Sequence, residues 1–187
     1  MPDGCAEHVG VKMPNIVDVL IAVDCESVLA QYGENNAPTN PPMMEYEHIY
    51  MVIRNGNDLV WNGADYNKSP YLYLKVSEED DLSATSIRWR MESISMGMGY
   101  KAFLTNFTLY DGVDVITQPE CREIRTKSFL PDKSNPDQLI AQEVVDPFWE
   151  STVLRPGYVA YFFYLAIVDH MGKIRGYYRN DPAVVAQ

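Results

Sequence analysis

Cysteine is scarce in this sequence and is not arranged for a covalent or metal framework. The three cysteines, Cys5, Cys25 and Cys121, are odd in number, lie far apart and form no Cys-x-x-Cys pair. A disulfide framework needs paired cysteines and a structural zinc site needs closely spaced ones, so neither is expected. We therefore predict free thiols, no metal, and a reducing, cytoplasmic location. Cys25 lies among apolar residues and is expected to be a small buried hydrophobic side chain.

Long hydrophobic runs are missing as well. The longest covers residues 158–168, which is shorter than the roughly 20 residues that a membrane-spanning helix needs, and it is rich in tyrosine. We interpret it as a core strand and expect no membrane partner. The first residues include Asp3 and Glu7 but no apolar signal segment. Residues 1–14 are expected to form a flexible N-terminal arm, and residues 15–187 a single domain, since domains usually contain about 100–200 residues.

Positive charge is in short supply. Lysine and arginine together number 15, against 26 aspartate and glutamate residues, which gives a net charge of −11. Nucleic-acid binding draws much of its affinity from lysine and arginine contacts to phosphates. The charge balance therefore argues against a nucleic-acid partner and against anionic membrane surfaces. A solvated acidic surface is the simplest interpretation.

Recognisable catalytic motifs are also absent from the sequence. It contains no Gly-x-Ser-x-Gly nucleophile turn, no Gly-x-x-x-x-Gly-Lys phosphate loop and no His-Glu-x-x-His zinc motif. The three histidines lie far apart: His8, His48 and His170. Unrelated surface histidines are a simpler interpretation than a scattered metal site. We expect no enzyme activity and no cofactor.

Asp24 is the residue that keeps an enzymatic alternative open. It follows an apolar strand and precedes a short helix, a position where carboxylates hold Mg²⁺ in phosphoryl-transfer enzymes. With Glu26 and Ser27 it would be the centre of a metal-dependent enzyme. Such sites need a second carboxylate or a phosphate loop, so we expect Asp24 to be the helix N-cap instead.

What the sequence does contain is a series of short β-branched and aromatic runs separated by turn residues. Residues 16–23 predict a strand, residues 25–32 a short helix ended by Gly33. Residues 87–92 alternate, with Ile87, Trp89 and Met91 facing inward and charged residues facing outward, which is typical of a strand with one wet face. The further predicted strands are residues 48–53, 59–61, 71–76, 100–110, 113–116, 158–168 and 173–178. Residues 119–136 are expected to be irregular, residues 139–145 are either strand or one helical turn, and the tail begins at Asn180.

These elements amount to about eight or nine strands and one helix. A helix that is not repeated disfavours alternating strand-helix-strand units and a parallel sheet. The predicted fold class is mainly β, an antiparallel β-sandwich (jelly-roll-like) with one short helix after the first strand.

Two clusters of aromatic and polar residues are candidates for a ligand site. The first is a turn-rich stretch: Trp61, Asn62, Asp65, Tyr66 and Tyr71. Aromatic faces beside amide and carboxylate groups suit a sugar, which needs both stacking and directed hydrogen bonds. The second cluster offers the same chemistry near the C-terminus: Tyr177, Tyr178 and Asn180. Packed edges of the sandwich are the alternative interpretation of both clusters.

Arg88 and Arg90 project from one side of a predicted strand. They are spaced to clamp an anion, but in a chain with a net charge of −11 we expect them to pair with neighbouring carboxylates. Each exposed pair of this kind contributes at most about 1 kcal/mol.

Four segments, taken in order, resemble a known family. They are Asn-Ile-Val-Asp-Val-Leu-Ile-Ala-Val-Asp at 15–24, Ile-Tyr-Met-Val at 49–52, Ile-Arg-Trp-Arg at 87–90, and the C-terminal hairpin from Tyr-Phe-Phe-Tyr at 161–164 to Asp-Pro at 181–182. Over roughly residues 15–183 the chain resembles the PixA/AidA inclusion-body proteins of bacteria, and residues 106–134 are least covered. The resemblance implies a β-sandwich-like domain in the bacterial cytoplasm that accumulates to high level, sometimes as ordered inclusions, in social or host-associated bacteria. It implies no catalytic motif.

The expected function is therefore that of a non-catalytic, self-associating protein. The alternatives are a small-ligand or glycan-binding module and the metal-dependent enzyme centred on Asp24. A homodimer or higher state is expected, because nine methionines and 12% aromatic residues exceed what one small core consumes and are suited to an interface.

Overall fold

The computed structural model describes residues 15–55, 58–62, 71–74, 85–95 and 99–187. The predicted N-terminal arm, residues 1–14, lies outside this part of the chain. The elements in order are β1 (Asn15–Val23), α1 (Cys25–Tyr32), a 3₁₀ helix (Tyr46–His48), β2 (Ile49–Asn55), β3 (Asp58–Asn62), β4 (Tyr71–Leu74), β5 (Thr85–Ser93), β6 (Tyr100–Asp111), β7 (Glu120–Pro131), β8 (Leu139–Thr152), β9 (Gly157–Asp169), β10 (Ile174–Asn180) and β11 (Ala183–Ala186).

The strands form two sheets. One has six strands in the order β3-β2-β1-β5-β8-β7, and the other has the order β10-β9-β11-β4 with β6 paired to β9. The prediction of a mainly β fold with one short helix after the first strand is confirmed. Most pairs are antiparallel, but β1 with β5 and β4 with β11 are parallel. The sheets are mixed because the chain passes through the β2–β3 hairpin and through β4 of the second sheet before β5 returns beside β1.

The core lies between the two sheets and follows the predicted alternation. On β5, Ile87 and Trp89 are fully buried and Met91 is 9% exposed. The indole Nε1 of Trp89 donates a hydrogen bond of 3.2 Å to the hydroxyl of Tyr161 on β9, and the ring centroids of Trp89 and Phe107 are 5.2 Å apart. This aromatic cluster joins the first sheet to the second.

Helix α1 begins and ends where its sequence predicts. The backbone N–H of Ser27 donates to Oδ1 of Asp24 at 3.1 Å, and the Ser27 hydroxyl donates to Oδ2 at 2.8 Å. At the other end, the N–H of Gly33 donates to the carbonyl of Leu29 at 3.0 Å. An N-cap of this kind contributes about 1 kcal/mol to stability. Cys25, the first helical residue, is fully buried as predicted.

Three segments differ from their predictions. Residues 120–131, expected to be irregular, form β7, whereas residues 139–145 adopt the strand alternative of their prediction and belong to β8. Residues 113–116, expected to be a weak strand, form a turn that ends in an isolated bridge between Ile116 and Val153. The C-terminal tail contains β11, which is held between β9 and β4.

No helix in the described ranges has the length and apolar character needed to cross a membrane.

Candidate functional site

The Asp24 region is used for helix capping. Both carboxylate oxygens of Asp24 accept hydrogen bonds from Ser27, so the predicted N-cap role is confirmed. Within the residues that the structure describes, no three His, Cys, Asp or Glu side chains lie close enough to hold a metal ion.

The two described histidines have different surroundings. His48 Nε2 contacts Oε1 of Gln31 and lies 3.2 Å from Oε1 of Glu47. His170 is exposed in the turn between β9 and β10. His8 lies outside the described residues. Within the described residues, neither histidine belongs to a group of three possible metal ligands.

The first predicted ligand cluster is only partly described. Trp61 and Asn62 lie on β3, at one end of the six-stranded sheet, and Tyr71 begins β4 in the other sheet. Asp65 and Tyr66 lie outside the described residues. This cluster therefore stays a prediction.

Two residues of the second predicted cluster are packing residues. Tyr178 and Asn180 are fully buried. The Tyr178 hydroxyl donates to the carbonyl oxygen of Gly33, and Asn180 Nδ2 donates to the carbonyl oxygen of Met44 at 3.0 Å. Burial raises the pKa of Tyr178 to about 12, which keeps the phenol protonated as a donor. Both side chains tie the loop after α1 to β10, so the packed-edge alternative is correct for them.

Tyr177, the third residue of that cluster, lines an open cavity of about 420 Å³. Tyr164, Thr105 and Asn106 line it with Tyr177, as do part of Tyr178 and the proline-containing segment 38–41. A register shift between Leu104 and Asn106 interrupts the pairing of β6 with β9 at this point, and bulges of this kind redirect side chains. The cavity thus combines tyrosine side chains with an amide, and it contains two residues of the second predicted cluster, Tyr177 and Tyr178.

The predicted pairing of Arg88 and Arg90 with carboxylates is confirmed. Arg88 Nε lies 2.8 Å from Oε1 of Glu150, and Arg90 Nη1 lies 2.7 Å from Oδ2 of Asp146. The two guanidinium carbons lie 5.2 and 5.7 Å from the centroid of the Phe148 ring, within the range of a cation–π contact. These contacts fix β8 to β5 at the point where the two strands separate.

Beyond this point β7 and β8 form a two-stranded projection. Only residues 149–152 of β8 pair with β5, whereas β7 pairs with β8 from Glu120 opposite Glu150 to Pro131 opposite Leu139. We call residues 124–146 the β7–β8 arm. Its eight residues of β8 extend on the order of 25 Å, at about 3.4 Å per residue. The turn at its tip is ordered by hydrogen bonds from the N–H of Asp132 to the carbonyl of Gln138 and from the N–H of Ser134 to Oδ1 of Asp132.

The arm carries large apolar side chains without a core to receive them. The exposed fractions are 46% for Ile124, 57% for Phe129, 49% for Leu130, 62% for Leu139, 53% for Ile140 and 52% for Val145. Leu130 lies opposite Ile140, while Phe129 lies opposite Ala141 on the other face, so both faces of the tip are apolar. A two-stranded hairpin alone is marginally stable in water, and contiguous exposed apolar surface marks interaction sites. The arm is therefore the feature of this structure best suited to contact another protein.

Comparisons with known proteins agree on one family. Residues 15–185 match the protein family described as PixA, inclusion body protein. The crystal structure of an inclusion body protein (PixA) from Burkholderia cenocepacia J2315 is similar, with a TM-score of 0.73 and 16% sequence identity over 95% of this chain and 98% of that chain. At this identity the likeness shows a shared fold. No curated protein matches the sequence.

Proposed function

Because the chain belongs to the PixA inclusion body protein family, we propose that it is a non-catalytic protein that self-associates and accumulates to high level in the cytoplasm, as ordered inclusions. As the sequence resemblance implies, its setting is a social or host-associated bacterium. Its main partner is then a second copy of itself, in a homodimer or a larger assembly. The observation that carries this proposal is the apolar surface of the β7–β8 arm.

The magnitudes favour association through the arm. Fully burying a leucine, isoleucine or phenylalanine side chain contributes about 1.5–3 kcal/mol. Association costs roughly 4–15 kcal/mol in lost freedom of motion. Six large apolar side chains on each arm are 46–62% exposed, so each has roughly half of that value left to gain. Two arms that bury most of this surface against each other would gain a free energy of the same size as the cost.

The ionisable groups inside the protein support a non-catalytic role. Burial raises the pKa of Cys25 to about 11, whereas a nucleophilic cysteine needs a lowered pKa. Burial also raises the pKa of Tyr161, whose hydroxyl accepts the hydrogen bond of Trp89. These groups are held in their neutral forms and take part in packing, which is the opposite of the tuning that catalysis requires.

The arm's role is tested by removing its apolar tip. We expect Leu130→Ser combined with Ile140→Ser to weaken self-association at least tenfold, because the two side chains lie opposite each other and tenfold corresponds to only about 1.4 kcal/mol. Sedimentation velocity over a concentration series measures the effect. The matched control is Val113→Ser with Leu154→Ser, which removes exposed side chains, 60% and 50% accessible, beyond the other end of β8. A wild-type chain that is monomeric at every concentration contradicts the proposal, as does an equal loss in the control.

A glycan-binding module is the second candidate function, and the cavity lined by Tyr164, Tyr177 and Asn106 supports it. Stacking on the tyrosine rings and hydrogen bonds to the amide would hold a sugar there. On a glycan array, we expect any sugar bound by the wild type to be lost with Tyr177→Ala or Asn106→Ala. Tyr158→Ala, at the opposite end of β9, is the control and should retain it. An array on which the wild type binds nothing would remove this candidate.

A further inference from the structure

Strand β7 is an edge that lacks most of the devices that protect edge strands. It ends the six-stranded sheet, and β8 is its one partner among the described strands. Its pairing with β8 has no bulge, and its single proline is the last residue, Pro131. Eleven of its twelve residues are exposed. Natural proteins blunt such edges with bulges, prolines, covering elements or charges, because unpaired N–H and C=O groups are a template for another strand. Only charges are used here.

The charges on this edge are of mixed sign. The order along the strand is Glu120, Arg122, Glu123, Arg125 and Lys127. Charges of a single sign would repel every other copy of the strand. Charges of mixed sign instead select among pairing registers, because opposite charges directly across two strands stabilise the pair and like charges destabilise it.

Twofold symmetry leaves few registers to compare. When two copies of an edge strand pair antiparallel to extend one sheet, the symmetry axis is perpendicular to the sheet and one residue lies opposite itself. An axis at Glu123 places the Glu123 carboxylates of the two copies opposite each other. An axis at Arg125 places the two Arg125 guanidinium groups opposite each other. An axis at Thr126 sets Arg125 opposite Lys127 of the other copy. Each of these registers contains a like-charge pair.

An axis at Cys121 sets Glu120 opposite Arg122 but overlaps only residues 120–122 of the strand. An axis at Ile124 gives the complementary register with the longer overlap. It places Ile124 opposite Ile124 and Glu123 opposite Arg125 of the second copy, and symmetry makes the second contact twice. Cys121 then lies opposite Lys127, and no like charges are directly opposed. The overlap runs from Glu120 to Ser128 on both strands. One residue further, Phe129 of one copy lies beside Pro119 of the other, which covers part of the exposed apolar tip.

We infer that a second copy of this chain pairs edge to edge with β7, antiparallel, about a twofold axis at Ile124, so that the two six-stranded sheets become one continuous sheet held in register by Glu123 and Arg125. This inference rests on the proposed self-association and specifies its geometry. Backbone hydrogen bonds along the edge supply the pairing, and the two Glu123–Arg125 contacts select the register.

Charge reversal tests the register without disturbing the arm itself. Within one chain, Glu123 lies opposite Pro147 and Arg125 opposite Val145, so neither substitution removes a directly opposed charge in the same chain. Glu123→Arg alone places Arg opposite Arg, and Arg125→Glu alone places Glu opposite Glu. We expect each single variant to dimerise at least tenfold more weakly than the wild type, since the repulsion acts twice per dimer.

Two combinations should restore the dimer. The double variant Glu123→Arg with Arg125→Glu exchanges the charges and recovers wild-type affinity. An equimolar mixture of the two single variants forms a heterodimer, because each chain then meets the opposite charge at both contacts. Sedimentation velocity measures the homodimers, and co-purification of the mixture through a tag on one variant measures the heterodimer. Glu120→Arg and Arg122→Glu are the controls, since the register sets these residues opposite Ser128 and Thr126. Within one chain, each control breaks the exposed ion pair between Arg122 and Glu120.

The outcomes separate this inference from the proposed function. Loss in the single variants with recovery in both combinations supports the Ile124 register. A wild-type dimer that is indifferent to the reversals at Glu123 and Arg125, or equally sensitive to the two controls, overturns the register while self-association stands. A wild type that is monomeric throughout overturns both.

Discussion

Replacing Trp89 with alanine is expected to lower the free energy of unfolding by about 3–5 kcal/mol. The side chain is fully buried between the sheets. Its ring contacts Phe107 on β6 and Tyr161 on β9, at centroid distances of 5.2 and 5.9 Å. Alanine would leave a cavity that the two sheets cannot close without repacking, and it would remove the hydrogen-bond donor from the buried Tyr161 hydroxyl. Because small domains have about 5–15 kcal/mol of stability in total, the loss is a large fraction of it.

Urea unfolding followed by far-ultraviolet circular dichroism measures this loss without relying on the tryptophan that is removed. Tyr161→Phe is the companion variant, since it keeps the ring and removes the acceptor of the 3.2 Å hydrogen bond. It is expected to cost about 1–3 kcal/mol, the penalty for a buried donor left unsatisfied. If the Trp89 variant lost less than about 1 kcal/mol, the core between the sheets would not depend on this aromatic cluster.

Strand β5, which contains Trp89, could be predicted because one of its faces is buried and the other is exposed to solvent. Burial of Ile87, Trp89 and Met91 imposes an alternation on the sequence that can be read without a structure. Helix α1 was predictable for a related reason. Its N-cap Asp24 and its terminal Gly33 satisfy the backbone groups at its ends through local contacts, so the signal lies within a few residues.

Strand β7 was not predictable by the same reasoning. Its exposed residues lie on both faces, so nothing imposes an alternation of apolar and polar residues. The charged residues of β7 make the segment look like an irregular loop in the sequence. Under the proposed register, two of these residues, Glu123 and Arg125, determine how β7 pairs with the second copy. Strand β11 was not predicted because it is short: four small apolar residues after a proline show no detectable alternation. Its position is determined by pairing with β9 and β4, which are distant in the sequence.

The candidate sites depend on contacts between residues that are distant in the sequence. Tyr164 and Asn106 meet in one cavity because β6 pairs with β9 and sets these two residues opposite each other. Tyr178 resembles a surface aromatic in the sequence, but its hydroxyl donates to Gly33, 145 positions earlier. Residue type alone does not separate a ligand contact from a packing contact. The first predicted cluster, from Trp61 to Tyr71, spans strands of two different sheets.

The composition predicts an interface but does not say where in the chain it lies. In the structure, large apolar side chains are exposed on the arm, where Phe129 and Leu139 are 57% and 62% exposed. Part of the arm lies in residues 106–134, the stretch that the sequence resemblance covered least. Under the proposed function the sheets and the projecting arm have separate roles: the sheets hold the fold, and the arm supplies the surface for association.

Gly112, in the turn between β6 and β7, is expected to contribute about as much to the free energy of unfolding as Trp89 does. Gly112 follows β6 and has a φ of +61°, and a Cβ atom built there would lie 1.9 Å from the carbonyl oxygen of Tyr158 and 2.9 Å from its carbonyl carbon. These are backbone atoms, so no side-chain movement relieves the clash. Gly112→Ala is expected to lower the free energy of unfolding by about 2–5 kcal/mol, through left-handed strain of about 1–2 kcal/mol and overpacking of about 1–3 kcal/mol.

Gly172 supplies the matched control, because it has a φ of +81° and no heavy atom within 4 Å of a built Cβ. Gly172→Ala carries the same kind of backbone strain without the clash, and its expected loss is about 1–2 kcal/mol. Chemical unfolding of the two variants under identical conditions isolates the contribution of the Tyr158 backbone as the difference between them. Equal losses of unfolding free energy at Gly112 and Gly172 would mean that the β9 backbone at Tyr158 shifts to accommodate the new Cβ atom without cost. The turn after β6 would then not be tightly packed against β9.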